Sequence, residues 1–379
     1  MYSSRVKHPL SSLVSGLSVC LFVAVGAGCS ANNGPVEVAA QPGPSCSPVP
    51  PVPQGPPAIK TVNGITYAYA VNTTLNKISR YTLDGSTGTL TKQGEVDADF
   101  QPTFIAAHPT RDLVYATAFC SDEVLAYSID TTTGALTSLG SVAAGDGPAS
   151  LTVSSNVVYV TNFNSNTVSV HEIGPAGALT LVQTMPTGAG PAGIGVDPTG
   201  RFAYVANHNQ DKFTALSAFK IDASTGKLEA TVPDAPFQTG RGPFAIAIHP
   251  TGSFIYITNK ISNSVTAYRI DTTTGELTDV LGSAFVTEEG PKGVTIDPSG
   301  RFLYVGSGHV NKVSIHTIDS NGILQTPPST VGAGEEPEGI VVDPTGKFVY
   351  AVNVVTKDIS TYKIEPDGSL TEIFPRVLL

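Results

Sequence analysis

The sequence predicts an all-β fold, a seven-bladed β-propeller with four-stranded antiparallel blades, and three observations lead there. A tyrosine set in β-forming residues recurs at Tyr69, Tyr115, Tyr159, Tyr204, Tyr256, Tyr304 and Tyr350, at intervals of 44 to 52 residues. A self-similar period of that length built from strands is the mark of propeller blades, and seven copies make seven blades. Each copy also reads as strand, polar loop, strand. In residues 159–170 the β-formers Tyr159-Val160-Thr161 and Thr167-Val168-Ser169-Val170 flank Asn162-Phe163-Asn164-Ser165-Asn166, which is turn chemistry. Finally, an asparagine follows the tyrosine by three places in five copies (Asn72, Asn162, Asn207, Asn259, Asn353), with Ala118 and Ser307 in the other two.

Within a blade the corners are legible. In the fourth copy Pro191 opens strand A, Asp197-Pro198-Thr199-Gly200 has the Asx acceptor, φ-fixed proline and closing glycine of a type I turn, and Phe202, Tyr204 and Ala206 alternate along strand B. Asp222-Ala223-Ser224-Thr225-Gly226 then separates strand C from strand D at Leu228. The same A–B turn recurs at His108, His249, Asp297 and Asp343, so those imidazoles and carboxylates are expected to serve turn geometry and not chemistry. In an up-and-down blade the A–B and C–D turns share one face, and the B–C loops and D–A crossings share the other. Function is expected on the loop-bearing face. At the N-terminal end, residues 58–62, Asn63-Gly64 and residues 65–72 read as a hairpin with a type I′ turn. That hairpin either opens the first blade or donates a strand to the last.

Bulk composition narrows the function. The chain has 379 residues, 41% of them hydrophobic, with 38 Gly and 29 Pro that fall at the repeat corners and mark turns. Its formal charge of −10 lacks the basic face that nucleic-acid binding needs. No Cys-x-x-Cys or His/Cys cluster points to a metal, and no cofactor is expected. Ahead of the repeats, residues 1–28 carry Arg5 and Lys7, an apolar run, and Gly26-Ala27-Gly28 before Cys29, the layout of an export signal. Residues 29–57 are rich in Pro, Gly and Ala and read as an extended tether, leaving residues 58–379 for the propeller. An oxidising compartment permits a Cys46–Cys120 pair, which spacing alone leaves open.

Two resemblances follow from these motifs. Small residues directly before Cys29 are similar to the lipobox of bacterial lipoproteins, which implies lipid attachment at Cys29 and an extracytoplasmic, membrane-anchored protein; Gly26 departs from the pattern. Tyr159-Val160-Thr161-Asn162 and Tyr256-Ile257-Thr258-Asn259 resemble the propellers built from Tyr-Val-Thr-Asn repeats. The pattern from Pro243 to Asn259, with His249-Pro250, Phe254 and Tyr256, resembles the seven-bladed lactonase family similar to bacterial 6-phosphogluconolactonase. That family implies lactone hydrolysis on the loop-bearing face, by a His soon after a Gly-Pro crossing and a Glu or Arg after a blade asparagine. Here Arg241-Gly242-Pro243 leads into Phe244-Ala245, and the asparagines are followed by Thr73, Phe163, His208, Lys260 and Val354. Only Lys260 keeps the basic character of a family arginine, and it lacks the bidentate fork.

The expected function is therefore binding of a protein or carbohydrate-like small molecule by a monomer that meets membrane only through its anchor. The candidate ligand-binding residues are Phe163, His208, Arg241, Lys260, Lys292, His309 and Glu336, with no catalytic residue assigned. The alternative is a lactonase-type hydrolase opening a sugar lactone, with His208 as base oriented by Glu288 or Glu336.

Overall fold

The computed structural model describes residues 54–208, 216–230 and 237–379. The export signal, Cys29, Cys46 and residues 29–53 of the tether lie outside the described residues. Seven antiparallel sheets cover residues 58–97, 102–143, 148–186, 191–230, 243–286, 291–332 and 337–378, and each runs from its first strand outward in chain order. Each sheet is a four-strand path, and the fifth has an additional short strand, Phe285–Val286, on its third strand. Blade 1 is built wholly from the N-terminal hairpin and the next two strands, and blade 7 wholly from residues 337–378, so no strand is exchanged at closure. Asn63 and Gly64 take the positive φ values, 47° and 81°, that a type I′ hairpin requires.

Strand B of every blade is buried along its whole length from the tyrosine onward, because both its faces meet neighbouring blades. Seven hydrophobic clusters result, one at each blade interface, and one of them joins blade 1 (Ala70, Tyr81) to blade 7 (Phe348, Tyr350). The recurring tyrosines cross these interfaces. Each hydroxyl donates to the carbonyl of a C–D turn glycine in the next blade: Tyr69 to Gly134, Tyr115 to Gly177, Tyr159 to Gly226, Tyr204 to Gly275, Tyr256 to Gly322 and Tyr304 to Gly368, with Tyr350 returning to Gly88 of blade 1, all at 2.7–3.1 Å. A buried phenol needs such an acceptor, and burial pushes every one of these hydroxyls above the usual phenol range.

The asparagines tie the other end of the blade. Asn162, Asn207, Asn259 and Asn353 donate through Nδ2 to Ser169, Ser217, Thr266 and Ser360 of strand C at 2.8–3.2 Å. The amides of Gly188, Gly240 and Gly334, in the crossings, donate to the hydroxyls of Ser217, Thr266 and Ser360. On the opposite face Asp197, Asp297 and Asp343 accept backbone N–H groups of their own turns, and His108 Nδ1 does the same in blade 2. The turn reading of these residues holds.

Gly275 illustrates why the turn glycine is fixed: its φ is +80°, and an added Cβ would lie 2.4 Å from Cδ1 of buried Phe202. Gly275→Ala is expected to destabilise the protein by about 2–4 kcal/mol, the sum of left-handed strain and overpacking. Gly85, whose added Cβ would meet nothing within 4 Å, is the control, and Gly85→Ala should stay within about 0.5 kcal/mol in the same urea titration. Equal midpoints for the two variants would contradict the packing argument.

Candidate ligand site at the channel mouth

Register builds the mouth of the central channel. Strand A opens at Pro102, Pro148, Pro191, Pro243, Pro291 and Pro337, and counting back from the Ala58–Tyr69 pair puts Gln54 in that place in blade 1. The following residue is Gly55, Thr103, Ala149, Ala192, Phe244, Lys292 or Glu338, and every side chain among them is buried. Blades 6 and 7 thus set an ammonium and a carboxylate at equivalent neighbouring positions. They pair: Lys292 Nζ bonds Glu338 Oε1, and Glu336 Oε2 lies 3.4 Å away. The other Glu338 oxygen accepts the Gln54 amide at 2.9 Å, while Gln54 Nε2 donates to Val71 O at 2.7 Å. Charges so enclosed persist only when paired and hydrogen-bonded, and here both conditions are met. Gln54 therefore works as part of blade 1, four residues ahead of the expected start of the propeller.

A second tier comes from the residues that follow the blade asparagines. Phe163 and His208 have ring centroids 6.3 Å apart, His208 meets Phe244 edge-on at 5.7 Å, and Lys260 Nζ stands 5.4 Å from the Phe244 centroid. The result is one arc from blade 3 to blade 7, Phe163–His208–Phe244–Lys260–Lys292–Glu338, with Glu336 at its end. Burial holds the Lys260 ammonium below its ordinary range, the Lys292 charge adds to that, and Glu338 and Glu336 oppose it. Among the described residues Lys260 forms no ion pair. Burial likewise lowers His208, which leaves it a neutral imidazole near pH 7. Its Nδ1 lies 3.2 Å from Pro243 O, and facing a carbonyl it must carry the ring proton, so Nε2 is the unprotonated nitrogen.

Of the sequence candidates, the fold brings Phe163, His208, Lys260, Lys292 and Glu336 together. Arg241 and His309 stand apart, both exposed on the rim. Arg241 is two places before its proline, and its backbone amide is tied to Ser262 Oγ at 2.6 Å. His309 occupies the 3-10 turn Gly308–Val310 and packs over Gly290. Glu288, proposed as a partner of His208, instead pairs with Lys312 at 2.9 Å. Glu338, Phe244 and Gln54 were not among the selected candidates. Aligning the repeats on the crossing proline would have found Glu338 and Phe244, since that alignment stacks them with Lys292.

On the loop-bearing rim, five of the described loops are tied to the crossing that follows. Asn76, Asp122, Asn166, Asn263 and Asn311, with φ between 52° and 57°, each accept an amide from the next crossing at 2.8–3.0 Å. Below the arc the channel encloses a cavity of about 220 Å³ bordered by Gln54, Phe244 and Glu338. Two larger grooves, about 540 and 630 Å³, lie among the tight turns of the opposite face. Of their carboxylates, Asp222 and Asp297 are spent on turn amides and hydroxyls and Glu365 pairs with Lys363, which leaves Glu172; the smaller space instead adjoins the cluster of Lys260, Lys292 and Glu338. Cys120, in the blade 2 loop, is disulfide-bonded. Among the described residues no group of three or more His, Cys, Asp or Glu side chains converges to hold a metal.

Comparison with known proteins gives a consistent picture. The family described as lactonase, 7-bladed β-propeller, matches residues 67–377. A 6-phosphogluconolactonase of Formosa agariphila is 31% identical over 86 residues, 23% of this chain and 24% of the relative. The alignments span only 24% and 37% of the length of the curated 6-phosphogluconolactonases from Formosa agariphila and Pectobacterium carotovorum. A solved Bacteroides fragilis protein, provisionally assigned as a 6-phosphogluconolactonase, superposes with a TM-score of 0.75 at 21% identity, covering 83% of this chain and 95% of that one. The periplasmic gluconolactonase of Pseudomonas aeruginosa superposes with a TM-score of 0.66 at 20% identity, covering 79% and 92%. At these identities the structures share the fold.

Two outcomes test the electrostatics. Lys292→Met strands the buried Glu338 carboxylate and is expected to cost about 3–5 kcal/mol in urea unfolding, whereas Lys292→Met with Glu338→Met should recover most of the loss; additive losses would contradict a coupled pair. In blade 3, His171 is fully buried, its Nε2 is 2.9 Å from Ser169 Oγ, its Nδ1 has no partner, and burial lowers it to about 4. Below pH 6.5 the unfolded chain takes up a proton that the folded imidazole refuses until about pH 4. Stability should therefore fall as pH drops through that window, by up to about 3 kcal/mol from this residue. His171→Gln should flatten that acid limb, and an unchanged limb would show that His171 does not carry it.

Proposed function

This chain belongs to the lactonase, 7-bladed β-propeller family, and on that premise we propose that it binds a small carbohydrate-like ligand at the channel mouth. The face is the one that carries the B–C loops and Gly-Pro crossings. The observation that carries this reading is the continuous arc from Phe163 through His208, Phe244 and Lys260 to the Lys292–Glu338 pair. The partly exposed ring of Phe163 suits the apolar C–H face of a sugar, and the Lys260 ammonium, without a carboxylate of its own, suits a carboxylate or lactone carbonyl. The bonds from Asn166, Asn263 and Asn311 to the following crossings hold these loops in place and lower the ordering cost of binding.

Binding fits the geometry better than hydrolysis. The carboxylates of the arc are engaged by Lys292, and Nδ1 of His208 faces a backbone carbonyl and not a carboxylate that would orient and strengthen a base. One observation favours the second reading, opening of a sugar lactone: the neutral His208, with Nε2 as acceptor, is in the state a general base needs. Export and anchoring through Cys29 belong to the same proposal, and the chain acts as a monomer outside the cytoplasm. The disulfide at Cys120 supports such a location, since disulfides persist in oxidising compartments. A protein docked on the same face is the alternative occupant.

Calorimetric titration with gluconate and glucono-1,5-lactone tests the proposal. Both should bind, and Lys260→Met should raise Kd by about tenfold, the loss of one charge-assisted contact. An unchanged Kd would contradict the site. Lactone hydrolysis should proceed at the rate in protein-free buffer. An accelerated rate that His208→Ala removes would move the function to lactone hydrolysis.

A further inference from the structure

The channel beneath the arc differs in chemistry from the arc itself. Its cavity of about 220 Å³ is bordered mainly by apolar or backbone surface, including Phe104, Ile194, Ile246, Val294, Ile340 and Val341. The inner strands approach so closely that a Cβ on Gly293 would lie 2.1 Å from Glu338 O, and one on Gly193 would lie 2.7 Å from Phe244 O. These glycines let the inner strands of adjoining blades close on one another, so the cavity is walled largely by backbone and by the side chains named above. Phe244 and Glu338 border both the cavity and the arc, so the two spaces adjoin. Charge is confined to the collar. Lys292 neutralises Glu338, and the second Glu338 oxygen is held by the Gln54 amide.

An apolar cavity of about 150 Å³ is large enough to take benzene. We infer that the channel cavity is a subsite for an aromatic or short acyl substituent, and that the ligand is a sugar acid or its lactone carrying such a group. This rests on the binding reading above. The polar ring of the ligand lies along the arc with its carboxylate toward Lys260, and its apolar substituent passes Phe244 and Glu338 into the channel. Burying the substituent among these apolar side chains adds hydrophobic affinity that the collar alone does not supply. The site therefore discriminates between ligands by what is attached to the sugar.

The test uses two probes with the same charged head, methyl β-D-glucuronide and phenyl β-D-glucuronide, titrated calorimetrically into the intact protein. The phenyl glycoside is expected to bind at least tenfold tighter. Val341→Phe, which places a ring in the cavity, should abolish that preference while leaving the methyl glycoside unaffected; Thr295→Leu, on the same lining, serves if Val341→Phe fails to fold by circular dichroism. Lys260→Met should weaken both probes alike. Equal affinities for the two glycosides, or a phenyl preference that survives a filled cavity, overturn the subsite while the mouth stands. Indifference of both probes to Lys260→Met, or no binding of either at millimolar concentration, removes the mouth and the subsite together.

Discussion

A tyrosine hydroxyl bonded to a glycine carbonyl in the next blade is the interaction on which this molecule depends. Repeated seven times and returning from Tyr350 to Gly88, it links each interface to the one after it without exchanging a strand. One such bond contributes only about 1 kcal/mol net. Its weight lies in what surrounds it: the glycine must adopt positive φ and present a bare face to an apolar side chain, so the bond, the turn and the interface core form together. The Asn–Ser/Thr–Gly contacts do the same at the other end of the blade. Seven similar sheets, all held at the turn end and four of them also through a blade asparagine, present equivalent positions to one axis, and this is how unlike residues in separate repeats become neighbours.

The site is a consequence of that equivalence. Phe244, Lys292 and Glu338 occupy the same place in three successive blades, and in the other four blades the place holds Gly55, Thr103, Ala149 or Ala192. Polarity is thus concentrated on one side of the mouth, in blades 5 to 7, and the adjoining arc of Phe163 and His208 comes from blades 3 and 4. Pairing Lys292 with Glu338 lets both charges exist in a nearly dry setting, and it leaves Lys260 without an ion pair among the described residues, with Glu338 and Glu336 acting on it only at longer range.

Much of the fold was legible because it is written as repetition. The tyrosine spacing, the Asp-Pro-Thr-Gly corners and the Asn63-Gly64 turn each point to a local geometry, and the structure has it. Which strand closes the ring was not legible, since the N-terminal hairpin fits either blade 1 or an exchange with blade 7 until its partners are seen. Five of the seven candidate side chains meet because the residue after a blade asparagine and the residues flanking a crossing proline approach the axis. Arg241 and His309 each stand one residue out of that register and reach the rim instead. Gln54 escaped notice because its proline-rich surroundings read as tether, although its amide closes the carboxylate of Glu338 from the far end of the chain. Buried His171 carries no sequence signal, since a histidine in a strand is buried or exposed according to the neighbouring sheet.

The central claim, that ligand chemistry gathers where the arc meets the channel and not in the wider grooves of the turn face, is open to a direct look. Crystals grown with 4-bromophenyl β-D-glucuronide would locate the bromine by anomalous scattering. The account predicts a single bromine peak inside the channel, between Val294 and Val341, with the carboxylate at Lys260. A peak among Asp222, Ser224 and Lys227 on the turn face, with the channel empty, would contradict it.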